Sequence, residues 1–114
     1  MIVIKTPVVA PGLRLSIPLG EVEIASAYLW FLPPGKTFQQ RTRPKGYLDE
    51  VFVESGFRGQ LYGTALLEEA VDLAYQRCYK SFATSRHSNP VAHKIYEDKL
   101  GFTNHGLEFR IDFE

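Results

Sequence analysis

The sequence predicts an α/β (α+β) domain in which helices pack on a mixed β-sheet. Three observations support this prediction. Short segments in the first half of the chain alternate apolar and polar residues, which is typical of half-buried strands. Thr64–Lys80 places apolar residues at three- and four-residue steps, which is typical of an amphipathic helix. Strand-like and helix-like segments then alternate, and this order favours a sheet covered by helices.

The size and composition of the chain bound its function. Its 114 residues suffice for one domain, residues 1–114, with a modest core. The formal net charge is zero, which argues against nucleic acid as a partner because no strong field attracts it. The longest apolar run, Ala27–Leu32, is too short to span a bilayer. The single cysteine, Cys78, cannot form an internal disulfide, so we expect a cytoplasmic protein with no membrane partner.

Four strands are predicted before the long helix. Met1–Ile4 is apolar with high β propensity, and Leu13–Ile17 alternates with a period of two. Leu19–Glu21 fits a hairpin turn, after which Val22–Leu32 forms a longer strand. Tyr47–Val53 is the fourth strand, so the first half of the chain is expected to supply most of the sheet.

Between the last two of these strands, Lys36–Gly46 shows no periodicity and carries four cations, Lys36, Arg41, Arg43 and Lys45. We predict an exposed loop here. It is either a solvated connector or a flexible wall over an acceptor or a phosphate, since loops of this length are often functional. A nucleic-acid-binding loop is a third interpretation, which the zero net charge disfavours.

A second helix and two further strands are expected after the long helix. Ser81–Ser85 is a short strand. Asn89 is a good N-cap and Pro90 suits the first helical position, so a helix begins there and is expected to stop at Gly101. Leu107–Phe113 alternates apolar and polar residues and is predicted to be a closing strand.

The junction between the fourth strand and the long helix has the composition of a phosphate-binding turn. It comprises Arg58, Gly59, Gln60, Leu61, Tyr62, Gly63 and Thr64. Two glycines permit close backbone approach and unusual φ values, and the free N–H groups of a helix's first turn bind phosphate oxygens. A simple tight turn is the alternative. The segment is neither a Walker A loop nor a dinucleotide fingerprint, because both glycine spacings are absent.

A second motif begins about thirty residues after Arg58. Tyr96 lies seven residues after Asn89, so both residues fall on similar faces of one helix. Tyr96 is either a core aromatic whose hydroxyl is bonded at the edge of the core, or a phenol that donates a proton to a leaving thiolate.

Together, the two motifs resemble the GNAT superfamily of N-acetyltransferases over about Tyr47–Phe102. The family pattern is Gln/Arg-x-x-Gly-x-Gly/Ala after a strand, followed by a helix, a strand, an Asn, and a helix that bears Tyr and ends in Gly-Phe. This chain supplies Arg58, Gly63, Asn89, Ala92, Tyr96, Gly101 and Phe102. The resemblance implies a GNAT-like mixed, mostly antiparallel sheet with the order β-β-β-β-α-β-α-β, in a compact member with a shortened N-terminal region.

The resemblance also implies a cosubstrate, acetyl-CoA, and the groups that hold it. The main chain of Val51, Phe52 and Val53 would pair with the pantetheine arm at a splay in the sheet. The amides of Arg58–Thr64 would hold the pyrophosphate, and Asn89 would hydrogen-bond the pantetheine. No metal is implied. The three histidines, His87, His93 and His105, show no metal-ligand spacing.

The chemistry implied by the resemblance is direct attack of a primary amine on acetyl-CoA. The acceptor would be a small molecule, a peptide or a protein. Tyr96 would protonate the departing CoA thiolate. Asp49, which shares a strand face with Tyr47, is the candidate base, and Glu50 is the second candidate.

Two departures from the family pattern qualify this prediction. Leu61 stands where the family has a glycine, so its side chain must point away or crowd the pyrophosphate. Lys5–Gly12 cannot hold the two helices that usually wall the acceptor site. Either the acceptor site is open, or a second subunit completes it in a homodimer. The alternative function is a reduced GNAT domain that binds acyl-CoA or a protein partner without turnover.

Overall fold

Four strands form one sheet in the order of the chain. The structure is a computed structural model and describes residues 1–35, 41–85 and 89–114. The strands are β1 (Gly12–Leu19), β2 (Val22–Leu32), β3 (Lys45–Val53) and β4 (Lys80–Ala83). Neighbours among the first three are antiparallel, whereas β4 runs parallel to β3. The predicted mixed, mostly antiparallel sheet is therefore confirmed.

Helices follow β3 and β4. α1 (Tyr62–Arg77) is preceded by a short 3₁₀ turn, Ser55–Phe57. α2 (Pro90–Lys94) continues directly into a π-helical turn, Ile95–Lys99. Both predicted helices are present, although α1 begins before Thr64 and ends before Lys80. Such shifts at helix ends are expected, because apolar periodicity defines the middle of a helix better than its caps.

The core lies between α1 and one face of the sheet. It contains Leu29, Phe31 and Leu48 from the strands and Leu67, Ala70, Ala74 and Cys78 from α1 and its end. Gly46 of β3 lets the end of α1 pack closely on the sheet, because a Cβ at this position would lie 3.1 Å from the Cys78 Sγ and 3.2 Å from the Ala74 Cβ. Burial in this core raises the pKa of the Cys78 thiol.

A β-bulge interrupts the pairing of β2 with β3. Tyr28 faces Asp49 and Ser26 faces Phe52, so a single residue of β2 lies opposite both Glu50 and Val51. Glu50 takes up the extra length with a left-handed φ of +52°. Such bulges bend a strand and turn its side chains to new directions, and pairing with β2 resumes at Phe52 and Val53.

The predicted strands at the two ends of the chain are wrong. Met1–Ile4 and Leu107–Phe113 have no strand structure, and their apolar side chains are exposed. A strand exists only where a neighbour accepts its backbone hydrogen bonds, and neither segment is paired with an edge of the sheet. The order of elements is therefore β-β-β-α-β-α within the described residues.

Parts of two predictions lie outside the described residues. These are the first half of the cationic loop, 36–40, and His87. Among the described helices, none combines the length and the apolar character needed to cross a membrane.

Candidate functional site

The ladder between β3 and β4 ends halfway along β3. Their parallel pairing covers Lys45–Leu48 and Lys80–Ala83, whereas β3 continues to Val53. The edge of β3 that faces away from β2 therefore has no neighbouring strand beyond Leu48 among the described residues. The family resemblance implies a splay at Val51, Phe52 and Val53, and this unpaired edge, which follows the bulge at Glu50, is where the splay would lie.

The turn Arg58–Thr64 lies directly beside this edge. A Cβ on Gly63 would be 3.3 Å from the Val53 Cγ2, so the start of α1 packs against the end of β3. The first backbone bond of the helix runs from the Ala65 N–H to the Leu61 carbonyl. The N–H groups of the preceding turn are left for another acceptor, and α1 carries no acidic residue in its first turn.

Two left-handed residues shape the turn. Gly59 has a φ of +77°, and Leu61 has a φ of +68°. Main-chain N–H groups around such residues converge into an anion-binding concavity, a nest. Glycine adopts this conformation without strain, whereas a side chain makes it costly. The family's glycine at the position of Leu61 thus corresponds to a backbone requirement of the turn.

Leu61 keeps the required backbone and turns its side chain outward. The side chain is 66% exposed, and the residue acts as the N-cap of α1 without a side-chain hydrogen bond. The Leu61 side chain is therefore not packed against the rest of the fold, and its effect on the pyrophosphate stays a prediction. The backbone strain remains and is of the order of 1–3 kcal/mol for a non-glycine residue in this region.

Side chains around the turn hold it in place. The Arg58 Nε donates to the Val53 carbonyl at 2.9 Å, and its guanidinium lies over the Phe52 ring at 5.9 Å. The Gln60 amide donates to the Gly56 carbonyl at 3.2 Å. Arg58 thus connects the turn to the end of β3. The sequence alone did not show this contact.

Asn89 caps α2 as predicted. Its Oδ1 accepts from the Ala92 N–H at 3.1 Å, and Pro90 occupies the first helical position. The Asn89 carboxamide oxygen is therefore already used in a hydrogen bond within the protein. The amide nitrogen is a separate donor, and it is the group that the proposed contact with pantetheine would use.

Tyr96 lies in the π-helical turn and packs on the core from the side of β4. Its ring meets Phe102 edge-on, with centroids 5.3 Å apart, and it contacts the main core cluster. Burial, with a smaller contribution from Tyr47, raises the pKa of the Tyr96 phenol. A phenol with a raised pKa keeps its proton at neutral pH, as a general acid must.

The side chain of Asp49 is positioned by β2. Trp30 donates its indole N–H to the Asp49 Oδ2 at 3.2 Å, and Tyr28 lies directly opposite Asp49 in the sheet. Tyr47 shares this strand face, as predicted, and stacks on Phe82 at 4.8 Å. These five residues, Tyr28, Trp30, Tyr47, Asp49 and Phe82, form what we call the open face, on the side of the sheet away from α1.

A groove beside Tyr96 overlaps only part of the predicted site. It has a volume of about 770 Å³ and is bordered by β4, Tyr96 and the segment after Gly101. Asp49 and the turn Arg58–Thr64 do not line it. Tyr96 therefore lies between two regions, with the groove on one side and Tyr47 of the open face on the other.

Sequence reasoning missed the partners of Asp49. Trp30 and Tyr28 are two residues apart on β2, and their rings stack in parallel at 5.6 Å. Their alternation is visible in the sequence. Their proximity to Asp49 depends on the register of β2 against β3, which the sequence did not show. Among the described residues, no group of histidine, cysteine and acidic side chains could hold a metal ion.

An unpaired sheet edge beside a helix N-terminus, with left-handed residues in the turn before that helix, offers main-chain groups to a phosphorylated ligand. The model of the Acetyltransferase (GNAT) family matches residues 16–102. This is most of the chain, so the chain belongs to the GNAT acetyltransferase family. Comparison with curated protein sequences found no match.

Solved structures share this fold. A protein of Agrobacterium tumefaciens str. C58, provisionally assigned as an acetyltransferase, has 24% identity and a TM-score of 0.72 over 85% of this chain and 65% of its own. A Trypanosoma brucei acetyltransferase has 27% identity and a TM-score of 0.65, over 80% and 60% of the two chains. AAC(6')-Iy, solved with the bisubstrate analogue CoA-S-monomethyl-acetylneamine, has 16% identity and a TM-score of 0.67, over 89% and 69%. The chain thus spans less than two thirds of the first two proteins.

Proposed function

We propose that the chain transfers an acetyl group from acetyl-CoA to a primary amine by direct attack. The observation that carries this proposal is the opening of the β3–β4 ladder after Leu48, with the turn Arg58–Thr64 at one end of it. Family membership and the left-handed turn support the choice of cosubstrate, because both suit a ligand with a pyrophosphate and an extended, amide-rich arm.

The described residues fit such a cosubstrate. The pyrophosphate would accept hydrogen bonds from the amides of Arg58–Thr64. The amide groups of the pantetheine arm would pair with Val51–Val53 at the edge of β3 as an added strand would, and there the Val53 carbonyl already accepts from Arg58. Asn89 would contribute its amide nitrogen. The thioester would then approach the bulge at Glu50, between Tyr96 and the open face.

The reaction requires two proton transfers. The neutral amine nitrogen attacks the thioester carbonyl carbon, a C–N bond forms, and the C–S bond breaks. The amine proton leaves to Asp49, directly or through water, and the CoA thiolate takes the proton of the Tyr96 phenol. Burial raises the pKa of the Tyr96 phenol, so the phenol is protonated at neutral pH but is a weaker acid than a free tyrosine.

Replacement of Tyr96 by phenylalanine tests the proposal. The ring and its contact with Phe102 are retained, so the fold should be unchanged. We expect kcat to fall by about 100-fold, the range for loss of a general acid, while the Kd of acetyl-CoA measured by calorimetry stays within about twofold. Release of CoA at the wild-type rate by the variant would refute the assignment of Tyr96. Failure of the wild-type chain to bind acetyl-CoA at millimolar concentration would refute the proposed function.

Two observations favour the alternative function, an acyl-CoA-binding or protein-interaction module without turnover. Leu61 holds a left-handed conformation that costs free energy. Lys5–Gly12, where the family usually has two helices that wall the acceptor site, contains no helix. This alternative predicts that acetyl-CoA binds but that no CoA is released across a broad panel of amines.

The predicted homodimer and cytoplasmic location stay predictions. A dimer would show twice the chain mass in light scattering coupled to size-exclusion chromatography, and cell fractionation would test the location. Whether the acceptor is a small molecule or a peptide is a separate question. It depends on the open face, which lies beside the proposed position of the thioester.

A further inference from the structure

The zero net charge of the chain conceals an uneven distribution of its charges. Residues 24–48 and 73–96 contain no aspartate or glutamate, and each of these segments carries four lysines or arginines. The structure brings parts of the two segments together. The Tyr79 N–H donates to the Pro44 carbonyl at 3.0 Å, and Lys45 is paired with Lys80 where β3 and β4 begin. Cations of both segments therefore collect at one end of the sheet.

Four of these residues, Arg43, Lys45, Arg77 and Lys80, form what we call the basic end. Lys45 and Lys80 lie directly opposite each other on neighbouring strands, an arrangement in which like charges repel. The charges of Arg43 and Arg77 both oppose the effect of burial on the pKa of the Cys78 thiol, so these two guanidinium groups lie near the same sulfur atom. The basic end thus unites cations from β3, β4 and the last turn of α1.

Neutral groups hold three of these cations in place. The Arg43 Nη2 donates to a main-chain carbonyl in the last turn of α1 at 2.9 Å. The Arg77 guanidinium lies over the Phe31 ring at 5.3 Å. The Lys80 Nζ lies over the Tyr79 ring at 5.6 Å. Carbonyls and aromatic rings orient a cation while leaving its full charge in place, so these groups are positioned for an anion before one binds.

No acidic side chain neutralises the basic end within residues 1–35, 41–85 and 89–114. None of its four cations forms an ion pair there, and the residues outside these ranges include no aspartate or glutamate. The carbonyls at the end of α1 attract Arg43 and Arg77, but a helix C-terminus supplies only about half a negative charge. Most of the positive charge therefore stays uncompensated, and a bound anion would relieve the repulsion.

The surroundings of the basic end limit the length of such an anion. The exposed face of α1 carries Glu68, Glu69 and Asp72, and Asp49 and Glu50 lie further along β3. A long polyanion such as a nucleic acid, or a flat anionic membrane, would approach these carboxylates and be repelled by them. A short anionic segment would contact the cations alone.

We propose that the basic end is a docking site for a short acidic segment of a partner protein. Carboxylates of this segment would accept paired hydrogen bonds from the planar guanidinium groups of Arg43 and Arg77, and Lys45 and Lys80 would add their charges. The site is separate from the proposed cosubstrate site, because β3 has nine residues and spans roughly 26 Å between the basic end and the turn Arg58–Thr64. Docking therefore does not require acetyl transfer.

Fluorescence anisotropy of a fluorescein-labelled hexaglutamate peptide, titrated with the full chain, tests this proposal. We expect saturable binding at about 50 mM NaCl that weakens at least about tenfold at about 500 mM, because salt screens exposed charges. A labelled hexaglutamine peptide should bind at least about tenfold more weakly at the lower salt concentration. Absence of saturable hexaglutamate binding, or equal binding of hexaglutamine, would overturn the proposal.

Charge reversal locates the binding. Arg43→Glu combined with Lys80→Glu should raise the Kd of hexaglutamate at least about tenfold. Lys94→Glu combined with Lys99→Glu is the matched control, because it changes the net charge equally at two exposed cations outside the basic end. Its Kd should stay within about twofold of wild type. An equal loss in the control would show that net charge alone drives the binding, and the proposed site would be wrong.

Two measurements keep this result separate from a loss of folding. Lys80→Glu replaces a like-charge pair with an opposite pair across β3 and β4, so the urea midpoint of this variant should not fall. The milder double variant, Arg43→Ala with Lys80→Ala, should also weaken hexaglutamate binding. Wild-type binding by this folded double variant would refute the roles of both residues.

Competition distinguishes an acidic protein segment from other anions. Oligothymidylate and phosphatidylserine vesicles should displace labelled hexaglutamate less well than unlabelled hexaglutamate does at the same concentration of charge. If either competes better, the basic end binds nucleic acid or membrane instead, and the proposal fails. The Kd of acetyl-CoA should be unchanged in Arg43→Glu with Lys80→Glu, so the docking site and the transferase function can fail independently.

Discussion

The turn Arg58–Thr64 and the open face offer a ligand different kinds of atoms. The turn offers main-chain N–H groups, oriented by the left-handed residues Gly59 and Leu61. The open face offers side chains, chiefly Trp30 and Asp49, brought together by the pairing of two strands. A site made of backbone tolerates changes of side chain as long as φ and ψ are kept. A site made of side chains depends on each residue and on the register.

Asp49→Asn should have the largest effect on the open face. The amide keeps the size of the side chain but removes the proton acceptor and the negative charge. We expect kcat/KM for the amine to fall by about 100-fold, with the Kd of acetyl-CoA unchanged by calorimetry. Glu50→Gln is the matched control, because Glu50 is the adjacent, exposed carboxylate in the bulge. A larger loss in Glu50→Gln than in Asp49→Asn would transfer the role of base to Glu50.

Gly12→Ala should disturb the open face without touching the turn. Its new methyl group would overlap the Trp30 ring, which must move. We expect a shift of the Trp30 emission and a rise in the KM of the amine by about tenfold, with a loss of stability of about 1–2 kcal/mol. Gly56→Ala is the control, since nothing lies within 4 Å of a Cβ there. If Gly12→Ala and Gly56→Ala changed the Kd of acetyl-CoA equally, the open face and the turn Arg58–Thr64 would not be independent.

Leu61→Gly should relieve the backbone strain in the turn Arg58–Thr64 without altering the open face. Glycine adopts the φ of +68° freely, and little burial is lost because Leu61 is 66% exposed. We expect a gain of about 1 kcal/mol in the free energy of unfolding and binding of acetyl-CoA that is a few-fold tighter. Leu61→Ala keeps a Cβ in the left-handed region and should differ from wild type in neither measurement. If chemical denaturation gave Leu61→Gly the same free energy of unfolding as wild type, the claim that Leu61 is strained would be contradicted.

The smallest expected effect is the response of kcat to alkaline pH. Burial disfavours the phenolate and raises the pKa of Tyr96 above its ordinary value of about 10. The acid form is therefore fully present below that value and is lost only as pH rises through the raised pKa. We expect kcat to change by less than about twofold from pH 8 to 10. The prediction would be contradicted if kcat of the wild type fell with a midpoint well below pH 10 and this fall was absent in Tyr96→Phe.

Local patterns predicted much of the fold and the cofactor side of the proposed site. The apolar stripe of α1, the Asn89 cap and the shared strand face of Tyr47 and Asp49 all follow from spacings of a few residues. The same reasoning failed for Met1–Ile4 and Leu107–Phe113, which have the alternation or propensity of strands. Strand formation requires a partner edge, and no spacing within a segment tells whether one is present.

By itself, the sequence determined the class of fold, the position of the turn and the family to which the chain belongs, because helix starts, caps and glycine requirements are local. Only the tertiary structure decided that the Leu61 side chain is exposed, that the pairing of β4 with β3 ends at Leu48, and that Trp30 donates to Asp49. The physical reason is register. A shift of one residue between two strands would reverse every side chain, and that pairing is set by contacts between segments distant in the chain.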